Sequence, residues 1–352
     1  MKKLFSFVVA LAFALSVMAQ APSNYYNTAN GLSGNALKTA LHNIIKGHTA
    51  LSYSATADAF WSTDNKGNGI VWDMYSDKPN GTPPYTYHLG QDQCGNYDSE
   101  GDCYNREHSW PQSWFNDQTT PRCDLHHLFP TDGFVNNKRA NYAFGEVRSA
   151  SWTSRNGSKL GTCKTSGFSG TVFEPIDEYK GDFARALMYM SVRYYTEDAS
   201  WSTSDMTTKS EIKPCAMQML LRWHEQDPVS QKEINRNNAI YSQYQHNRNP
   251  FIDHPEYARM IWDPTWNAVE EAMEVVSLFP NPVKPGQTLR VSGNAIDAVV
   301  LYDLCGHTVL KANAPIGEDC VVTLSDDMAQ GCYIVKVLRN GAVIKYEKLI
   351  VK

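Results

Sequence analysis

The chain has 352 residues, of which 42% are hydrophobic and 12% aromatic, so it is long enough for two domains with packed cores. No run of 18 or more apolar residues follows the N-terminal segment, which argues against a membrane-spanning segment in the mature protein. The formal net charge of −5 excludes nucleic-acid binding through overall positive charge, so any such binding must rest on a local site.

The first 19 residues have the pattern of a secretory signal peptide. Two lysines precede an apolar run over 4–18, and small residues at positions 17 and 19 favour cleavage before Gln20. A buried N-terminal helix is the alternative, but polar sequence begins directly after this point. We therefore expect an exported protein, either secreted or attached to the cell surface.

Export permits disulfide bonds. The eight cysteines form two odd-numbered groups, which are Cys94, Cys103, Cys123, Cys163 and Cys215, then Cys305, Cys320 and Cys332. Cys94 and Cys103 flank a stretch rich in Gly, Asn and Asp, so we predict that they close this loop. Each group keeps at least one free thiol unless one bond joins the two groups. The absence of a CxxC pair argues against a structural zinc cluster.

The sequence pattern of the N-terminal third of the chain predicts a helix, a strand and a long loop. Apolar residues at helical spacing predict a helix over 33–45, with Ser33 as its N-cap. A short buried strand is expected over 69–74. The segment 76–102 is rich in Gly, Pro, Asn and Asp, which predicts a functional or disulfide-tied loop.

The middle of the chain predicts helices. An apolar stripe indicates an amphipathic helix over 182–195, and a second helix is expected over 212–225. Ser230 and Glu233 form a capping-box pattern that opens a further helix. We interpret these apolar stripes as core and not as a cofactor site.

The composition changes near residue 275. From there, short β-branched runs alternate with Gly and Asn turns, and these runs are 289–291, 298–302, 309–311, 321–324, 333–338 and 343–351. This spacing predicts a small β-sandwich of about 75 residues.

The densest group of side chains that could bind a metal or transfer a proton lies at residues 104–111. Glu107 offers the oxygen ligands that Mg²⁺ or Ca²⁺ prefers. His108 titrates near neutral pH and can take a proton from water. Phosphodiester cleavage needs a metal to neutralise the phosphate and a base to activate water, so this pair matches both tasks. For the pair alone, a surface ion pair beside a packed tryptophan is the alternative.

A second polar motif follows further along the chain. Thr131 or Asp132 can cap a short helix that runs to about Asn141. On such a helix Asn136 and Arg139 share one face. An amide oxygen can complete a Mg²⁺ shell and an arginine can hold a phosphate.

Neighbouring His126 and His127 raise the alternative of a zinc-dependent hydrolase. On a strand, adjacent side chains point to opposite faces, so the two imidazoles are not expected to share one metal. A suitably spaced third ligand is missing from the sequence. We therefore expect one of these histidines to be structural.

Together the two motifs resemble the bacterial endonuclease I family, whose catalytic core is a ββα-metal, or His-Me, finger. The matching segments are Arg106-Glu107-His108, Pro111-Gln112-Ser113-Trp114, Asp124-Leu125-His126-His127-Leu128-Phe129-Pro130 and Gly133-Phe134-Val135-Asn136-Asn137-Lys138-Arg139-Ala140-Asn141. The resemblance covers roughly 25–262 and extends to order and spacing as well as residue type. It implies hydrolysis of DNA, with RNA as a further candidate substrate, and little sequence preference.

The resemblance also implies a role for each matching residue. His108 corresponds to the general base. Glu107 and Asn136 correspond to the protein ligands of a single Mg²⁺, for which Mn²⁺ and Ca²⁺ are alternatives. The family's transition-state arginine corresponds to Arg122 or, as the second candidate, to Arg139.

Three further polar residues are expected to bind the substrate, namely Arg106, His127 and Asn141. The predicted fold class is α+β. We expect a signal peptide over 1–19, a mostly helical nuclease domain built around a ββα-metal finger over 20–274, and a β-sandwich over 275–352. We also expect a monomer.

The C-terminal segment resembles the sorting domain of proteins exported by the type IX secretion system, which implies contact with that machinery. The matching segments are Phe279-Pro280-Asn281-Pro282, Leu301-Tyr302-Asp303-Leu304-Cys305-Gly306, Gly331-Cys332-Tyr333-Ile334-Val335-Lys336-Val337 and Lys348-Leu349-Ile350-Val351-Lys352. Phe279 departs from the usual tyrosine. A β-sandwich that binds carbohydrate or substrate is the alternative for this domain. For the whole chain, the competing hypothesis is a surface adhesion protein with an inactive nuclease-like domain.

Overall fold

The computed structural model describes residues 21–165, 167–263, 276–293, 296–304, 306–313, 319–339 and 342–352. The chain divides into two units, Met1–Trp262 and Asp263–Lys352. The expected signal peptide, the expected domain boundary near residue 275 and Cys305 lie outside the described residues. Within the part that is described, no helix is long and apolar enough to cross a membrane.

The first unit combines helices with small antiparallel sheets. Its helices are α1 (Gly34–Ile45), α2 (Tyr53–Thr63), α3 (Thr119–Arg122), α4 (Gly133–Arg139), α5 (Lys180–Arg193), α6 (Pro214–Gln226), α7 (Gln231–Ala239), α8 (Pro250–Asp253) and α9 (Tyr257–Trp262). Its strands are β1 (Tyr104–His108), β2 (Leu128–Asp132), β3 (Val147–Thr153), β4 (Lys159–Cys163), β5 (Thr171–Glu174), β6 (Thr207–Thr208) and β7 (Glu211–Ile212). They pair as β1–β2, β3–β4–β5 and β6–β7. This mixture confirms the predicted α+β class.

Helix α5 is the central helix of this unit. The sequence predicts a single apolar stripe, but every residue of α5 is buried because α1, α6 and α8 pack around it. A polar side chain in this position needs an internal partner. Arg185 has one, since its guanidinium donates to both carboxylate oxygens of Glu233 at 2.5 and 2.9 Å.

The capping box predicted at Ser230 is confirmed. The Ser230 hydroxyl accepts from the Glu233 amide at 3.3 Å, and the Glu233 carboxylate accepts from the Ser230 amide at 2.8 Å. The pair satisfies two of the amide groups that the first turn of α7 leaves without helical partners.

The structure has no strand over 69–74, so this prediction is wrong. Successive amides there pair with different segments: Val71 donates to the carbonyl of Tyr87 at 2.8 Å, and Trp72 to that of Asp64 at 2.7 Å. A strand needs one continuous ladder with one neighbour. The segment therefore forms only single β-bridges.

The long loop ends at the disulfide predicted from its composition. Cys94 and Cys103 are bonded, with their Cα atoms 5.8 Å apart. The Cys94 amide donates to the carbonyl of Tyr104 at 3.1 Å, so the closed loop is attached to the first residue of β1. We call residues 94–103 the disulfide loop. The other cysteines within the described residues are free, and they are Cys123, Cys163, Cys215, Cys320 and Cys332.

The second unit consists of two antiparallel sheets. Its strands are β8 (Ser277–Phe279), β9 (Thr288–Ser292), β10 (Ala298–Tyr302), β11 (Thr308–Asn313), β12 (Cys320–Thr323), β13 (Gly331–Arg339) and β14 (Ala342–Val351). The sheet orders are β11–β10–β13–β14 and β12–β9–β8. Apolar residues from both sheets, such as Val291 and Val335, form one buried cluster. Each strand predicted from the β-branched runs is present within a few residues of its expected position.

Candidate active site

Strands β1 and β2 and helix α4 position the site. In the antiparallel register, Glu107 lies opposite Phe129 and His108 opposite Leu128. Strand β2 runs directly into α4, because the side chain of its last residue, Asp132, accepts from the Val135 amide at 2.8 Å. This is one of the two N-caps predicted from the sequence. Helix α4 packs on β1 and β2.

The disulfide loop packs against the first residue of α4. A Cβ atom placed on Gly133 would lie 2.7 Å from the ring of Tyr97, which is too close for any side chain. Glycine at position 133 therefore lets the loop approach the helix. As a result, the loop forms one wall of the space in front of β1.

That space is a cavity of about 480 Å³. It lies between the start of α2, the disulfide loop, β1 and the end of α4. The residues predicted for the site that line it are Arg106, Glu107, His108, Asn136, Arg139 and Asn141. Arg122 and His127 are not among its lining residues. Two residues that the sequence did not suggest, Tyr53 and Asn105, also line the cavity.

His108 is held in one tautomer. Its Nε2 atom lies 2.9 Å from the carbonyl oxygen of Arg122, and since a carbonyl can only accept, Nε2 carries the proton. Nδ1 then has the lone pair, and no donor among the described residues contacts it. Burial, followed by the nearby His127, lowers the pKa of His108 to about 3. The imidazole is therefore neutral at physiological pH and able to accept a proton.

Glu107 is a buried carboxylate with one occupied oxygen. Its Oε1 accepts from the hydroxyl of Tyr75 at 3.0 Å and lies 3.0 Å from Nη1 of Arg139. No donor among the described residues contacts Oε2. Burial raises the pKa of Glu107 to about 7, although Arg139 and Tyr75 both act to lower it.

Asn136 is oriented by its amide nitrogen. Nδ2 donates to Oδ1 of Asn105 at 2.7 Å and to the carbonyl of Arg106 at 3.2 Å. Both partners belong to β1, so these bonds tie α4 to the strand that carries Glu107 and His108. The remaining amide atom, Oδ1, has no donor among the described residues.

Arg139, one of the two arginines predicted for the transition state, is bonded to backbone carbonyls of the protein. Only 1% of its side chain is exposed. It donates from Nη1 to the carbonyl of His108 at 2.8 Å and from Nη2 to that of Ser109 at 2.7 Å. These bonds and the Glu107 ion pair turn the guanidinium towards the protein. The structure therefore makes Arg139 a brace between α4 and the end of β1.

Two other arginines meet at one aromatic ring. The guanidinium carbons of Arg106 and Arg122 lie 3.7 and 4.1 Å from the ring centroid of Tyr53. Arg106 also donates to the Thr56 hydroxyl at 3.2 Å. The ring of His108 stacks on the same tyrosine with centroids 6.2 Å apart. Both cations are thus near His108, and Arg106 additionally lines the cavity.

His126 and His127 are both buried in turns before β2. The argument against a shared zinc ion had placed them on a strand, and that placement is wrong. His126 Nε2 lies 3.2 Å from the carbonyl of Asn247, and His127 Nε2 lies 2.6 Å from that of Pro121. Because the two rings bond to different carbonyls, they do not form a common metal site. His127, which was predicted to bind the substrate, is fully buried, and its ring centroid lies 5.7 Å from that of His108.

These two imidazoles make the fold sensitive to acid. Burial lowers the pKa of both His126 and His127 to about 4, compared with about 6.5 in an unfolded chain. The unfolded chain therefore takes up protons first, and stability is full above pH 6.5 and is lost as the pH falls towards 4. We expect each histidine to contribute a fall in the free energy of unfolding of roughly 1.4 kcal/mol for each pH unit in this window, while Glu107, whose pKa burial raises to about 7, contributes in the opposite direction. The difference in urea unfolding between the wild type and a His126→Gln variant from pH 4 to 8 isolates the contribution of one histidine, and a difference that does not change between pH 6.5 and 4.5 would contradict the assignment.

Two protein-family models match parts of this chain. The profile described as "Endonuclease I" matches residues 33–256. The profile described as "Secretion system C-terminal sorting domain" matches residues 277–352. The protein is therefore a secreted or cell-surface nuclease with a type IX sorting domain. It belongs to the Endonuclease I family.

Curated relatives agree with this assignment. An extracellular ribonuclease of Bacillus amyloliquefaciens is 41% identical over 247 residues, covering 68% of this chain and 78% of the relative. An extracellular ribonuclease of Bacillus subtilis (strain 168) is 38% identical with the same coverage. An extracellular deoxyribonuclease of Aeromonas hydrophila is 31% identical over 134 residues, covering 37% of this chain and 48% of the relative.

Proposed function

We propose that the chain hydrolyses phosphodiester bonds in both DNA and RNA, with little sequence preference and with one bound divalent metal ion. One observation carries this proposal. His108, Glu107 and Asn136 line a single cavity, and each has one atom, Nδ1, Oε2 and Oδ1 respectively, that no donor among the described residues contacts. The similarity to both ribonucleases and a deoxyribonuclease supports the breadth of substrate.

The donor set fits a hard divalent cation. Carboxylate and amide oxygens are ligands that Mg²⁺ accepts while keeping most of its waters, so Mg²⁺ is our first candidate, with Mn²⁺ and Ca²⁺ as alternatives. Glu107 and Asn136 would hold the ion. When bound, such an ion supplies positive charge that neutralises the phosphate and the leaving oxygen. A nearby cation also favours the ionised form of Glu107, whose pKa burial raises to about 7.

Side chains of the protein then supply proton transfer and phosphate binding. His108 takes a proton from the attacking water at Nδ1, while the bond from Nε2 to the Arg122 carbonyl holds the ring in place. Arg106 lines the cavity and is our candidate for holding a phosphate oxygen, together with the exposed amide of Asn141. Both arginines predicted for the transition state remain candidates. Arg139 lines the cavity, with its Nη atoms bonded to the carbonyls of His108 and Ser109, and Arg122 packs on Tyr53 outside the cavity lining.

We further propose that β1, β2 and α4 are a ββα-metal finger and that the second unit is a β-sandwich. The order of strand, strand and helix supports the first, with the base and one ligand on β1 and the other ligand on α4. A buried cluster shared by both sheets supports the second. The domains would then span 20–274 and 275–352.

Digestion of plasmid DNA and of RNA by the purified protein tests this function. We expect nicking and cleavage with Mg²⁺, and none after EDTA is added. The adhesion hypothesis predicts no cleavage with any divalent metal.

Replacing Glu107 by Gln tests its ligand role. The amide is neutral and a weaker ligand, so we expect the Mg²⁺ concentration for half-maximal rate to rise by about tenfold or more. The variant Glu146→Gln, which changes a carboxylate outside the cavity, is the matched control and should keep the wild-type titration. An unchanged Mg²⁺ titration for Glu107→Gln would count against the ligand assignment.

A further inference from the structure

Two exposed aromatic residues lie on segments that reach the cavity. In the described part of the first unit, the large hydrophobic side chains that are exposed are Trp61 and Tyr142, with 51% and 43% of their surface accessible. A single exposed aromatic residue needs no explanation. These two, however, lie on different elements that both lead to the same cavity.

Trp61 is carried by the helix that begins at the cavity wall. Helix α2 starts at Tyr53, and Trp61 follows eight residues later, about 12 Å further along the helix axis. Its indole rests beside two glycines, because a Cβ placed on Gly69 or Gly90 would lie 3.4 Å from ring carbons. The Gly90 amide donates to the hydroxyl of Tyr104, the first residue of β1, at 3.3 Å. The exposed ring is therefore supported by main chain that is attached to the catalytic strand.

Tyr142 lies beyond the end of α4. It directly follows Ala140 and Asn141, which both line the cavity. The Tyr142 amide donates to the carbonyl of Arg139 at 3.1 Å, and Arg139 is bonded to the end of β1. The backbone of this aromatic residue is thus fixed to the same frame as His108.

We propose that Trp61 and Tyr142 are stacking platforms for unpaired nucleobases that flank the bond being cut. The inference rests on the proposed function for the identity of the ligand. A net charge of −5 gives the chain no general attraction for phosphates, so contacts other than charge must contribute to binding. Every base has a π face, so stacking binds a strand without reading its sequence. This matches an enzyme with little sequence preference.

Binding of a fluorescent single-stranded oligonucleotide of about 12 nucleotides tests the platforms. Fluorescence anisotropy is measured in EDTA, so that no cleavage occurs. We expect Trp61→Ala and Tyr142→Ala each to raise the Kd about tenfold, and the two Phe variants to stay near wild type, since they keep an aromatic face. The variant Tyr346→Ala removes an aromatic residue that is 59% exposed in the second unit, and it should leave the Kd unchanged.

Two results would disprove the stacking proposal. One is wild-type affinity in both Ala variants. The other is a loss of affinity for a blunt duplex, whose bases are already paired and stacked, equal to the loss for the single strand. The binding measurement is independent of turnover. A wild-type protein that binds through these residues but cuts nothing would therefore disprove the proposed function and leave the platforms in place. A protein that cuts normally, and binds equally well without the two rings, would disprove only the platforms.

Discussion

The variant His108→Ala is expected to lose about 10³-fold in kcat/KM on plasmid DNA. The bond from Nε2 to the Arg122 carbonyl fixes the tautomer, so Nδ1 is the atom that can take a proton from water. Alanine removes this base but leaves Glu107 and Asn136, so the affinity for Mg²⁺ should change little. Nicking assays at saturating Mg²⁺ give the rate, and a metal titration gives the affinity.

Two controls separate loss of the base from loss of the fold. His88→Ala changes an exposed histidine outside the cavity and should cleave at the wild-type rate. Circular dichroism should show the same spectrum for His108→Ala as for the wild type. Added imidazole should restore part of the activity of that variant. Wild-type rates from a folded His108→Ala would disprove the base assignment.

The variant Asp124→Ala is expected to lose about 3–5 kcal/mol of unfolding free energy, the largest stability effect that we predict. The Asp124 carboxylate is fully buried and accepts from the hydroxyls of Tyr189 and Tyr194, both at 2.9 Å. It also accepts from the amide of Gln245 at 3.0 Å and from the backbone of His126 at 3.0 Å. Alanine would leave buried donors without partners, and each such group costs its desolvation energy.

Urea unfolding monitored by tryptophan fluorescence measures this loss. Asp124→Asn should cost less, because the amide keeps one acceptor oxygen and the tyrosine hydroxyls can rotate to accept from its nitrogen. Asp205→Ala, at an exposed site, should unfold like the wild type. A stability loss under about 1 kcal/mol for Asp124→Ala would show that the network is not what holds this loop to α5.

Parts of the site could be predicted because they are close in sequence. Glu107 and His108 are neighbours in the chain. Asn136 lies on the short helix that directly follows β2, and Asp132, the N-cap of this helix, was one of the two N-caps predicted. A hairpin-like pair of strands that runs into a helix brings such residues together through local structure alone. The spacing of the motifs therefore carried most of the information about which residues lie together as the proposed base and ligands.

Other parts depend on contacts between distant segments. Tyr75, which bonds to Glu107, and Tyr53, which packs beside His108, come from elsewhere in the chain and carry no motif. A helical face also does not reveal which partners a long side chain takes, so the bonds from Arg139 to the carbonyls of His108 and Ser109 could not be predicted. Similarly, the apolar stripe of α5 did not reveal that its polar face is buried too.

The inward turn of Arg139 has a mechanical consequence. One guanidinium joins α4 to the last carbonyls of β1 and to Glu107, while Asn136 makes a second link between the same two elements. His108, Glu107 and Asn136, which we propose as the base and the two ligands, therefore lie on two elements that are bonded to each other before substrate arrives. The surrounding loops can then move, or differ between related enzymes, without changing the distances on which the chemistry depends.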